Sequence, residues 1–206
     1  MESVLDRVIK QNTENVNLLK TKDYNIFSVL QIQSKEVLIC RMIADLLNPR
    51  GQHGAGAEYL KIFLRDCLGM EKMDTKLADQ AIVTAEYAID DERRIDIVIE
   101  IGSYFLPIEV KIYAADQKSQ CFDYYQYAKR RDAQAKVYYL TLDGHRPGKD
   151  STSSGSQSVP EEDIVCLLFR VHILNWLKAC KSCENTGMVP ILEQFIQNIE
   201  QISGYT

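Results

Sequence analysis

A chain of 206 residues with 46% hydrophobic and 26% charged side chains has the size and composition of one soluble globular domain with a buried core. A net charge of −5 argues against a surface that grips nucleic acid along its whole extent, although a local basic rim around an acidic, metal-neutralised site stays open. No run of about 18 apolar residues offers a membrane span, and MESVLDRVIKQNTEN lacks the basic start and apolar block of a signal peptide, so the expected location is cytoplasmic.

Residues 1–33 read as loosely helical and polar. The pattern sharpens in SKEVLICRMIADLLNPRGQHG. Ser34 can cap a helix, Val37, Ile39, Cys40, Ile43, Leu46 and Leu47 give it a broad apolar face, and Asn48-Pro49 with Gly51 stops it. GAEYLKIFLRDCLGM repeats that logic and ends at Gly69. Three strands follow: AIVTAEYAI (81–89), RRIDIVIEI and LPIEVKIYA. In the second, Ile95, Ile97, Ile99 and Ile101 alternate onto one expected face; in the third, Ile108, Val110 and Ile112 do the same. The short GSYFLP linker predicts that these two pair as an antiparallel hairpin. ADQKSQCFDYYQYAKRR is helical in character, and AKVYYLTL (135–142) is a buried strand. Residues 143–163 are polar, Ser-rich and without periodicity, and are expected to be a flexible loop. Amphipathic helices over 170–183 and 189–203 close a single domain spanning 1–206. The order of elements is that of an α/β domain with helices packed on a small sheet.

Two other motifs are weak. Cys180-x-x-Cys183 lacks the second pair that a zinc site needs, and the cysteines are expected to be reduced thiols. GHRPGKDS departs twice from the phosphate-binding G-x-x-x-x-G-K-[ST] pattern, because Gly144 stands one residue too close to Gly148 and Asp150 replaces the Ser/Thr.

The charges inside the hairpin raise the functional question. Glu109 and Lys111 are two apart and share a strand face; Asp96, opposite its isoleucines, can lie on that same face one strand away. Carboxylates from neighbouring strands, with a main-chain oxygen such as the Val110 carbonyl, would form a partial cage for a hard cation such as Mg²⁺, leaving positions for water and a phosphate oxygen. A solvated hairpin face carrying an ordinary ion pair explains the same spacing, and periodicity does not choose between the two.

With those residues in place, RIDIVIEIGSYFLPIEVKIYAADQKSQCFDYYQYA resembles the core of the PD-(D/E)XK nuclease superfamily: an Asp near the start of one strand, Glu-x-Lys on the next, then a helix carrying Gln-x-x-x-Tyr, matched here by Asp96, Glu109, Lys111, Gln120 and Tyr124. Ile95 stands where the family's name has Pro. Glu36 matches the Glu that many members carry on the first core helix, whereas Ile39 and Cys40 stand where related sequences often have His-Ser. The resemblance covers about residues 34–142 in the order αβββαβ and implies a restriction-endonuclease-like core, a mixed sheet flanked by helices, with extra N- and C-terminal helices. It also implies a Mg²⁺- or Mn²⁺-dependent phosphodiesterase acting on nucleic acid, with DNA the expected substrate. Asp96, Glu109 and the Val110 carbonyl would hold the metal, Lys111 would be the catalytic cation, and Glu36 and Gln120 would assist. Tyr124, Arg93, Arg94 and Lys129 would contact substrate. The rival reading keeps the fold as a catalytically inactive module that binds nucleic acid or a protein partner. The low net charge leaves room for a homodimer or a partner protein.

Overall fold

The structure, a computed structural model, describes residues 24–71, 73–183 and 186–204. Most of the helical expectation for 1–33 lies outside the described residues; within them Ile26–Val29 make a single turn, α1. Helices α2 (Glu36–Leu47) and α3 (Glu58–Asp66) follow, then a short turn, α4 (Thr75–Ala78). Strands β1 (Ile82–Ala88), β2 (Arg94–Ile101) and β3 (Tyr104–Lys111) precede helix α5 (Gln120–Arg131) and strand β4 (Val137–Thr141). The chain continues through α6 (Lys149–Thr152), the two-residue strands β5 (Ser153–Ser154) and β6 (Gln157–Ser158), and strand β7 (Ile164–Leu168). Helices α7 (Leu174–Lys181) and α8 (Val189–Ile202) close the described chain. None of the described helices is long and apolar enough to cross a membrane.

The main sheet has the order β1-β2-β3-β4-β7, antiparallel through β3 and parallel from β3 to β7. It is the mixed, helix-flanked α/β sheet expected from the sequence. One apolar cluster joins α2, α3, α7 and α8 to Ile97, Ile99, Ile101, Ile108 and Val110. The other joins α5 to Val98, Phe105, Val137 and Tyr139. β2 and β3 are thus buried on both faces, which explains their dense aliphatic content. Pro107 costs no hydrogen bond, because the pairing of β3 with β4 begins one residue later, at Ile108↔Tyr138.

Three details depart from the sequence reading. Ile164–Leu168, unassigned by pattern, pairs in parallel with β4; an isolated apolar run of that length carries no usable period. Residues 143–163 contain α6, the β5–β6 hairpin and a 3₁₀ turn at Glu161–Asp163, rather than a featureless loop. The N-cap of α2 is Lys35 rather than Ser34, with no side-chain capping bond.

Candidate active site

The β2–β3 hairpin is regular at one end and open at the other. Its turn is Gly102–Ser103, with Gly102 at φ +57°, and the register runs from Ile101↔Tyr104 to Ile97↔Ile108. Beyond Ile97 the strands part, while β2 stays paired with β1 as far as Ala88↔Arg94. A strand that loses its neighbour leaves donors that need partners. Acidic side chains supply them. The Val110 N–H donates to Asp96 Oδ2 at 2.8 Å, and the Ile112 N–H donates to Glu36 Oε2 at 2.8 Å. Amides two apart point to the same strand edge, so Asp96 and Glu36 together continue the ladder that β2 abandons.

The parting also breaks the expected alternation. Ile95 belongs to the α5 cluster with Val98, whereas Ile97 belongs to the α2 cluster. Asp96 stands at this irregularity and reaches along the sheet toward β3 instead of standing squarely on one face. Across from it on β1, Glu86 has φ +53° and drops out of the register between Ala85↔Ile97 and Tyr87↔Ile95. Its carboxylate pairs with Arg41 of α2 at 2.6 Å, outside the acidic cluster that it could have joined.

Glu109 and Lys111 are almost fully buried, at 1% and 6% exposure, and Lys111 Nζ meets Glu109 Oε1 at 2.5 Å. Glu109 Oε2 is buried without a hydrogen-bond donor among the described residues. Burial first, then the charge of Asp96, pushes the Glu109 carboxyl well above the usual range, against the pull of Lys111. Burial likewise raises Asp96, opposed by the Val110 N–H and by Lys111. The two carboxyl groups can share a proton, but once both are ionised Oε2 has no donor. Burial acts to lower Lys111, yet the carboxylates of Glu109, Asp96 and Glu36 outweigh it and raise the ammonium above its ordinary value.

These groups line a cleft of about 230 Å³ that also takes in Arg94, Gln120 and Tyr124, with Glu92 on its wall. Gln120 and Tyr124 are one turn apart on α5. The Gln120 Nε2 donates to the Tyr124 hydroxyl at 3.0 Å, Gln120 Oε1 accepts from the Gln117 N–H at 3.3 Å, and the Tyr124 hydroxyl donates to the Arg94 carbonyl. Tyr124 therefore ties α5 to the start of β2. Cys40 lies beneath the cluster; burial and the charges of Asp96, Glu36 and Glu109 push its thiol far above the ordinary range.

The basic residues divide. Arg94 is exposed at the cleft and forms no ion pair with a described residue. Arg93 is engaged by Asp123, Gln117 Oε1 and the Lys118 carbonyl. Lys129 lies away from the cleft lining, near the far end of α5, paired with Asp163 at 3.2 Å. His53 supports the turn after α2: its Nε2–H donates to the Asn48 carbonyl at 2.9 Å, and Nδ1 accepts from the Ala55 N–H at 3.0 Å.

Among the described residues no group of three or more His, Cys, Asp or Glu side chains is arranged to hold a metal. The donor set fits a hard divalent cation in a different way. Glu109 is a buried carboxylate and Asp96 a half-buried one, Glu109 presents an oxygen without a donor among the described residues, and the Val110 carbonyl belongs to the residue between Glu109 and Lys111. A family model described as the PD-(D/E)XK nuclease superfamily matches residues 24–197. Comparison with curated proteins and with solved structures gave no match.

Proposed function

This chain belongs to the PD-(D/E)XK nuclease superfamily, and on that premise we propose that it is a divalent-metal-dependent phosphodiesterase acting on DNA. The observation that carries the reading is the buried Glu109 oxygen that has no donor among the described residues, set beside Asp96 and Lys111 in an open cleft. Such a carboxylate is costly to ionise unless a cation meets it. Asp96, Glu109 and the Val110 carbonyl would hold Mg²⁺ or Mn²⁺. When bound, the ion supplies Lewis acidity toward a phosphoryl oxygen and acidifies water.

The chain's own residues do the rest. Lys111 keeps its proton through neutral pH, since the surrounding carboxylates raise it, so it acts as a fixed positive charge for the oxygens at phosphorus rather than as a proton acceptor. Glu36 holds the end of β3 through the Ile112 N–H and so fixes Lys111 from the far side. Gln120, held by Tyr124 and the Gln117 N–H, orients water or phosphate at the cleft wall. Arg94 is the substrate-facing cation. In the reaction, water adds to phosphorus and one P–O ester bond breaks, leaving a phosphate monoester on one fragment and a hydroxyl on the other.

Purified protein incubated with DNA and Mg²⁺ or Mn²⁺ is expected to cleave it, and EDTA, Asp96→Asn or Glu109→Gln is expected to abolish cleavage with the circular dichroism spectrum unchanged. Full activity in either variant sinks the assignment. Cleavage of RNA but not DNA would keep the chemistry and change the substrate.

A further inference from the structure

The GHRPGKDS segment fails as a nucleotide-binding loop, yet the fold fastens it firmly to the wall of the cleft. Asp116 Oδ1 accepts from the Tyr139 hydroxyl at 2.7 Å, and its Oδ2 accepts from the Gly148 N–H at 2.7 Å. The Ser119 N–H donates to the Asp150 carbonyl at 2.7 Å, and the Ser119 hydroxyl donates to the Ser153 carbonyl at 2.8 Å. The buried Ser151 hydroxyl accepts from the Cys121 N–H at 3.3 Å. These bonds join residues 148–153 to residues 116–121, the stretch that runs from the cleft wall into α5.

The consequence is electrostatic. The residues preceding the joined pair Ser119 and Asp150 are Lys118 and Lys149. Both are exposed and form no ion pair with a described residue. Lys118 is also fixed to the cleft, since its carbonyl accepts from Arg93, whose other bonds hold the cleft residue Gln117 and Asp123. Of the nearby acids, Asp123 is paired with Arg93, Asp116 accepts from the Tyr139 hydroxyl and the Gly148 N–H and keeps its charge, and Glu92 stands on the cleft wall. Exposed Asp150 offsets part of the Lys149 field. At the other end of α5, Lys129 is paired with Asp163 and Arg131 with Glu100, while Arg130 lies over the Tyr127 ring.

We propose that Lys118 and Lys149, carried on these two joined loops next to the cleft that Arg94 lines, form a ledge that holds the phosphate backbone of a nucleic acid leading into the cleft. The proposal rests on the phosphodiesterase reading for its substrate, and it names the surface the strand crosses. An acidic protein needs such a local feature, because its overall field repels the polyanion. The ledge contacts phosphate and carries no base readout.

The test is binding of a fluorescein-labelled DNA oligonucleotide to the full chain in EDTA, followed by anisotropy across a salt series. Each phosphate neutralised by a cation adds about 1 to the magnitude of the slope of log K against log salt. Lys118→Gln and Lys149→Gln are each expected to lower it by about 1, and the double variant by about 2. Lys129→Gln should leave it unchanged. Hydrolysis of bis(p-nitrophenyl) phosphate, too small to span the ledge, should be equal in wild type and double variant. The substituted side chains are exposed and have no ion-pair partner among the described residues, so the variants should fold. An unchanged slope in the double variant overturns the ledge, as does an equal loss from Lys129→Gln or the absence of salt-dependent binding. If wild type hydrolyses neither substrate but binds with a slope that the double variant loses, the chemistry falls and the ledge stands. If wild type and double variant cleave and bind alike, the ledge falls and the chemistry stands.

Discussion

The two ends of the β2–β3 hairpin are made of similar residues and do opposite things. At the Gly102–Ser103 end every step of the register is filled, from Ile101↔Tyr104 to Ile97↔Ile108, and apolar side chains pack against both faces, with Tyr104 exposed beside the turn. At the other end the strands separate, and carboxylates of Asp96 and Glu36 take the amides of Val110 and Ile112. The closed end is organised for stability. The open end accepts buried charge, with an ion pair and an oxygen that lacks a donor. A reactive site here is thus an interrupted ladder whose backbone donors have been handed to acids.

Breaking the open end at its chemistry should give the largest effect. Asp96→Asn, which keeps an acceptor for the Val110 N–H, and Glu109→Gln should each lower phosphodiester cleavage by on the order of a thousandfold, with little change in melting temperature. Single-turnover rates measured on folded variants decide it. Lys111→Ala should act on stability as well. It strips the partner from a buried carboxylate, which costs about 3–5 kcal/mol in comparable pairs. Urea unfolding should show that loss near neutral pH and a smaller one in acid, where Glu109 takes up a proton.

The pH dependence of the unliganded protein sharpens the contrast further. Asp96 and Glu109 are both raised above their ordinary values, so the folded chain retains protons that the unfolded chain has already released. Their contribution to stability is therefore fully present below the ordinary carboxylate range and is lost as pH rises through the raised values. Lys111, raised as well, adds stability that is lost only above the ordinary lysine range. A cation binds the ionised carboxylates, so the gain in melting temperature from added Mn²⁺ should grow from about pH 5 to pH 8. A gain that shrinks with pH would contradict the assigned donors. The smallest effect belongs to the closed end. Gly102→Ala meets only Leu77 methyls at 3.7 and 4.0 Å but must adopt φ +57°, at about 1 kcal/mol, and cleavage should not change.

Much of the scaffold was legible because local pattern and tertiary role agree. The apolar stripe of α2, the alternation of β2 and β3 and the order αβββαβ all follow from side chains that must face a core. Membership of the superfamily follows from the same stretch, with the family match extending from residue 24 to 197. The reading faltered where the backbone departs from regularity or where a partner is distant in sequence. Alternation puts Ile95 with the other isoleucines only in an unbroken strand, and the break beside Glu86 is invisible in the letters. Arg93 looks as available as Arg94, but three bonds into the segment around α5 occupy it. Residues 143–163 look featureless because their order is supplied by Asp116 and Ser119 rather than by any period of their own.

By itself, then, the sequence determined the main helices, the strands β1 to β4 and which residue types meet at the hairpin, because these depend on short-range periodicity and hydrophobic burial. Only the tertiary structure decided that β2 parts from β3 at Asp96, and that among the described residues Glu109 keeps one oxygen without a donor and Lys118 and Lys149, rather than Lys129, have no ion-pair partner. Those outcomes depend on which charges and backbone donors find partners across the fold, and that choice is made between residues far apart in the chain.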